Sequence, residues 1–150
     1  MSRLLVELVP SSSWGDNLRS LLSRKDWDLL RRESYALAGN RCEVCGGRGR
    51  RHSVECHERW IYDDTNHVQK LLGLEALCPS CHQVRHLGFA FARGRERQAI
   101  VHLIKVNGWG SQQTSEHIAE VFRVHAERSR FPWELDLSWL ETKGVALKGH

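Results

Sequence analysis

The sequence has no long hydrophobic run. Its opening, "MSRLLVELVP", places only a few apolar residues in succession before Glu7 interrupts them. That is shorter than a signal-peptide core and far shorter than a membrane span. No other stretch comes near the required length, so no membrane partner and a cytoplasmic, reducing setting are expected. The cysteines number five, an odd count. In a reduced compartment that argues against a disulfide framework. Internal repeats and low-complexity tracts are also lacking. A chain of 150 residues is too short for two large domains. It is long enough to bury roughly two thirds of its unfolded surface in one core, so a single domain over residues 1–150 is expected.

The formal charge is +4, which is mildly basic and compatible with a nucleic-acid partner. Six tryptophans are many for this length. Trp14, Trp27, Trp60, Trp109, Trp133 and Trp139 are expected as core or interdomain anchors. Local patterns suggest a short strand over residues 3–9 and a helix across "SRKDWDLLRRESYALAGN", with Ser23 as N-cap and Gly39-Asn40 as the stop. Residues 41–62 read as a β-hairpin, and residues 63–77 as a connection whose leucines point into the core. Pro79 fits the first position of a helix running to about Leu87 and ended by Gly88. Two amphipathic helices follow, one through Ile100, Leu103 and Ile104, the other through Ile118, Val121 and Phe122. "FPWELDLSWL" is expected to be extended and docked on the body, and the last ten residues frayed.

Cys42 and Cys45 form one C-x-x-C; Cys78 and Cys81 form another. Zinc takes four soft ligands in a tetrahedron, and a C-x-x-C whose backbone turns back can supply two of them. The glycines after Cys45 suit such a knuckle. The second pair sits at a helix entry, where the dipole favours thiolates. One pair from a knuckle and one from a helix start is the ligand layout of a treble-clef zinc site. His82 and His86 are four apart and share a helix face, turned away from the cysteines. A second site behind the first is therefore expected, with Cys56 and His57 from "ECHE" nearby. Cys56 has two readings, a ligand of that site or a core residue beside Val54. His52, His67, His102, His117, His125 and His150 read as ordinary, since none has a partner at ligand spacing in its own segment.

"CEVCGG", "VECHERW" and "CPSCHQVRH" together resemble the HNH, or ββα-metal, nuclease family over about residues 41–88. The resemblance implies an α+β fold with a treble-clef/ββα-metal core and a structural zinc. Residues 1–40 and 89–150 would be flanking helical extensions, as in small bacterial and phage-borne members. It places His57 as the general base, His82 as a metal ligand, His86 as a ligand or phosphate contact, and Cys56 at the strand-ligand position. A second divalent ion (Mg²⁺, Mn²⁺, Ni²⁺ or Zn²⁺) and a DNA substrate are implied. Phosphodiester hydrolysis needs a proton acceptor for water and charge stabilisation at phosphate, which an imidazole and a metal supply. Arg48, Arg50 and Arg51, with Arg93, Arg95 and Arg97, would grip flanking phosphates. The Asn that many members carry shortly before the second C-x-x-C is absent; Gly73 lies near that position. Two other functions remain open. One is a non-catalytic zinc module that binds nucleic acid; the other is an inhibitor-type protein that engages a partner through its C-terminal helices. Oligomeric state is not legible.

Overall fold

The computed structural model describes residues 3–148. Its elements are helices α1 (Leu18–Leu21) and α2 (Arg24–Leu37), strands β1 (Glu55–Asp63) and β2 (Val68–Leu77), and helices α3 (Pro79–Arg85) and α4 (Leu87–Ala92). Helices α5 (Glu96–Asn107) and α6 (Ser111–Arg128) and strand β3 (Glu134–Asp136) complete them. Short 3₁₀ turns span Ser11–Ser13 and Ser138–Lys143. The fold is α+β, with one three-stranded sheet in the order β1-β2-β3. Strands β1 and β2 are antiparallel, whereas β2 and β3 run parallel. Among the described residues, no helix is long and apolar enough to cross a membrane.

The hairpin is not where the sequence suggested. It joins residues 55–63 to 68–77, so the expected connection is itself a strand. The turn between them is held by Asp63, whose carboxylate accepts from the backbone N–H of Thr65 and Asn66 at 3.0 Å each. Strand β2 hides its period because its buried positions include Gln69 and Glu75 beside Leu71 and Leu77. Apolar and polar residues thus fail to alternate with burial. A bulge between Arg59 and Trp60 breaks the register as well. Residues 41–54 form no strand; they hold a tight turn in which Gly46 takes φ 76°.

Residues 3–10 are extended but pair with no strand. Side chains satisfy much of their backbone instead, and Glu7 N–H donates to Arg85 C=O at 3.0 Å. Asn107 accepts from Leu4 N–H at 2.8 Å and donates to Leu4 C=O at 2.7 Å. His117 accepts from Val6 N–H at 3.1 Å, and Arg85 donates to Leu5 C=O at 2.9 Å. This lays Leu4 and Val6 into a core built from Cys42, Leu77, Cys81, Val84, Leu87 and Leu103.

Helix α2 starts and stops as expected: Ser23 Oγ accepts from Asp26 N–H at 3.1 Å, and Gly39 and Asn40 both take positive φ. Helices α5 and α6 also fall as expected, with Gly108 at φ 67° closing α5. Helix α3 ends earlier than expected. His86 leaves helical geometry (φ −100°, ψ 48°), and Gly88 lies inside α4 instead of ending a helix. Burial of Leu87 and Ala90 explains the re-entry into helix.

A second core gathers Leu18, Leu22, Leu30, Leu71 and Leu140, with Trp27, Trp60 and Trp139 packed on it. The chain's end is not frayed up to residue 148. Val145 and Leu147 pack on this core, and Lys148 N–H donates to Leu21 C=O at 2.7 Å. The segment expected to be wholly extended is strand only at Glu134–Asp136 before it coils into a 3₁₀ turn. Trp109 packs on the first core. Trp14 departs from the anchoring expectation, being 68 % exposed. His150 lies outside the described residues.

Candidate functional site

The sulfurs of Cys42, Cys45, Cys78 and Cys81 lie within 4.8 Å of one another. Backbone geometry builds the group. Cys42 N–H donates to Gly47 C=O at 2.9 Å, closing the knuckle, and Gly47 N–H points at Cys45 Sγ from 3.4 Å. Cys78 caps α3, its sulfur accepting from Cys81 N–H at 3.4 Å. Cys45 and Cys78 stand 3.7 Å apart, sulfur to sulfur. A tetrahedron with Zn–S bonds of 2.3 Å has edges of about 3.8 Å, so the spacing fits an ion at the centre. Mutual hydrogen bonds push the Cys42 thiol well below its ordinary value. The group is compatible with a structural zinc. Glu43 ties the knuckle to the sheet: its N–H donates to Ala76 C=O at 2.9 Å and its carboxylate accepts from Ala76 N–H at 2.5 Å.

The sequence reading missed His102. From α5 its Nε2 reaches Cys81 Sγ at 3.2 Å, a contact between segments that local spacing cannot reveal. Ligands with such outer partners are held in orientation.

His57, His82 and His86 come together. Ring centroids are 5.5 Å apart for 57–82, 5.1 Å for 57–86 and 4.8 Å for 82–86. One nitrogen of each lies within 4.8 Å of the others. His57 comes from β1 and is only 5 % exposed; the other two come from successive turns at the end of α3. Carboxylates stand behind two of the rings. Glu7 Oε2 lies 2.9 Å from His57 Nε2, and Glu55 Oε1 lies 2.8 Å from His82 Nδ1. An ionised carboxylate only accepts, so His57 Nε2 and His82 Nδ1 are the donors in these contacts. Among the described residues His57 Nδ1 is buried and has no partner.

Charges follow from these contacts. Hydrogen bonds from His82 and His52 hold Glu55 down at about 2. Burial opposes the charge of Glu7, but the His57 hydrogen bond and the Arg85 guanidinium outweigh it and keep its carboxyl below the usual range. Burial, with His82 and His57 beside it, pushes His86 down to about 3. Near neutral pH its ring is therefore uncharged and has a lone pair to offer. Beneath the cluster Arg85 bridges Glu7 at 3.4 Å and Glu75 at 3.1 Å. Glu7, His57 and Glu75 also lie within ligand range of one another, but this guanidinium already pairs with both acids.

Cys56 does not join the imidazoles. Adjacent strand residues face opposite ways, and burial beside Ser34 and Glu58 pushes its thiol up to about 12. The arginines divide. Arg93 and Arg95 line a hollow of 520 Å³ together with His82, His86 and Phe89. Arg97, Arg48, Arg50 and Arg51 are exposed but do not line it.

Comparison with family models, curated proteins and solved structures finds no match.

Proposed function

We propose that the chain is a metal-dependent DNA endonuclease, built as a single domain on a zinc-pinned treble-clef, ββα-metal core. The order of knuckle, hairpin and helix supports that layout. The observation carrying the reading is the convergence of three imidazoles, two backed by carboxylates, beside an arginine-lined hollow. His82 and His86 are the residues that would hold the divalent ion. A ring nitrogen of each lies within ligand range of the other, and a nitrogen donor set favours a transition ion over magnesium. Such an ion supplies positive charge at the scissile phosphate. His57 takes the proton of the attacking water on Nδ1, because Glu7 fixes the tautomer and the ring from behind. Arg93 and Arg95 grip the phosphates on either side. Glu7 thereby orients His57 in a chain that lacks the Asn many HNH members carry before the second C-x-x-C.

Plasmid nicking with a panel of divalent metals tests the reading. His57→Ala is expected to lower the rate by about 10²–10⁴-fold, the range of a lost general base, while binding of the second-site metal persists. A second reading, a non-catalytic nucleic-acid module, is favoured by Gly73. That position has no side chain, and the Trp139 ring packs 3.5 Å from where a Cβ would stand. Equal, metal-independent nicking by wild type and mutant would support it and sink the enzyme.

A further inference from the structure

Two hollows meet at the histidine cluster, and they differ in character. One, of 520 Å³, carries Arg93 and Arg95. The other, of 380 Å³, carries Trp14, Trp27, Trp60 and Arg19. His82, His86 and Phe89 line both. The second hollow is lined by Cys56, His57, Glu58 and Trp60 of β1, which among the described residues is an edge strand of the sheet.

Trp14 is 68 % exposed and Phe89 56 %. Neither is merely left over. Trp14 follows a 3₁₀ turn that is pinned on three sides. Ser11 N–H donates to Ser129 Oγ at 3.0 Å, Ser12 Oγ to Phe131 C=O at 2.6 Å, and Ser13 Oγ to Gln69 Oε1 at 2.8 Å. An indole held out on a fixed turn loses little freedom when it stacks on something flat. Phe89 is braced by the Arg93 guanidinium, 5.4 Å from its ring centre.

We propose that this site takes an unpaired nucleic-acid strand, its bases stacking on Trp14 and Phe89 and its phosphates meeting Arg93 and Arg95. The proposal rests on the phosphodiesterase reading and names its substrate class. Single strands expose base faces to aromatic side chains, whereas a duplex hides those faces within its own stack. Exposed aromatic rings and guanidiniums both border the imidazoles, with Phe89 and Arg93 side by side, which suits the base face and the phosphate of a splayed nucleotide. The scissile phosphate then lies at His57, His82 and His86.

Fluorescence anisotropy tests this on the full-length, zinc-loaded protein without further divalent ion, so that binding is read apart from cleavage. The probes are labelled oligothymidylate, oligouridylate and a blunt DNA duplex of equal length at one salt concentration. Either strand is expected to bind at least about tenfold more tightly than the duplex. Trp14→Ala should lose about tenfold on the strand and nothing on the duplex, with Trp14→Phe restoring most of it. Duplex binding as tight as strand binding, binding by none of the probes, or indifference to Trp14→Ala would overturn the proposal. Strand binding without cleavage under any metal would sink the hydrolase and leave this inference standing. Duplex cleavage at equal affinity would do the reverse.

Discussion

Cys56 and His57 are neighbours with opposite fates, and the reason is the strand's two-residue period. His57 turns toward Glu7 and the helix imidazoles. Cys56 turns toward Ser34 and Glu58, where burial raises its thiol to about 12. The sign is clear: a thiol raised in the fold stabilises it fully below the ordinary value of 9, and that contribution is lost as pH rises from 9 toward 12. The chemical consequence is slow alkylation. In zinc-loaded native protein at pH about 8, maleimide should leave Cys56 essentially unmodified over the time in which a free thiol reacts fully. Mass mapping of the adduct checks it; fast labelling at Cys56 would mean an exposed thiolate and a misplaced strand. The sequence made His57, His82 and His86 legible because their types and spacing are local. It could not reveal Glu7, which reaches His57 from fifty positions upstream in sequence, nor His102, which reaches Cys81 from another helix. Partners chosen by tertiary approach leave no periodic trace.

Among elements, most helix ends and strand β1 were legible, and strand β2 was not. Ser23, Gly39, Pro79 and Gly108 mark helix ends by mechanisms that act within a few residues. Strand β2 carries Gln69 and Glu75 in buried positions, since Ser13 and Arg85 stand ready to pair with them. Its inward face therefore does not look apolar. The "CEVCGGRGRR" stretch has the pattern of half a hairpin, yet it folds as a turn and loop against the start of α3. Gly49 shows how closely. A Cβ there would lie 2.2 Å from the His52 carbonyl and 2.7 Å from Pro79 Cδ. Backbone and a proline ring give way poorly. Gly49→Ala should thus destabilise by about 1–3 kcal/mol, the usual penalty of overpacking, and loosen the knuckle from α3. Thermal melting and zinc competition with a chromophoric chelator both read this. An unchanged melt with unchanged zinc affinity would show that the loop is free of the helix.

At the scale of the molecule, the four-cysteine group and the first core are one structure. Cys42, Cys78 and Cys81 are buried in the same cluster as Leu4, Val84, Leu87 and Leu103. Helix α3 starts at that group and ends at His86, so whatever holds its N-terminus also holds two of the three imidazoles. Through Arg85 the same helix grips the N-terminal segment that presents Glu7. A structural zinc contributes about 10–16 kcal/mol of apparent binding free energy, against a typical net stability of about 5–15 kcal/mol. Removing it should therefore unfold the first core instead of merely emptying a pocket. We expect a zinc-loaded protein to contain one tightly held zinc per chain. Cys45→Ser should lose that zinc and Cys56→Ser should keep it. A strong chelator should abolish the cooperative melt, the binding of a second divalent ion at the histidines, and any strand binding, all over one titration range. If chelation removed zinc while the melt and the histidine-site ion remained, the clamp would be an ornament on an independently stable core. The link from thiolates through α3 to the imidazoles would then fail.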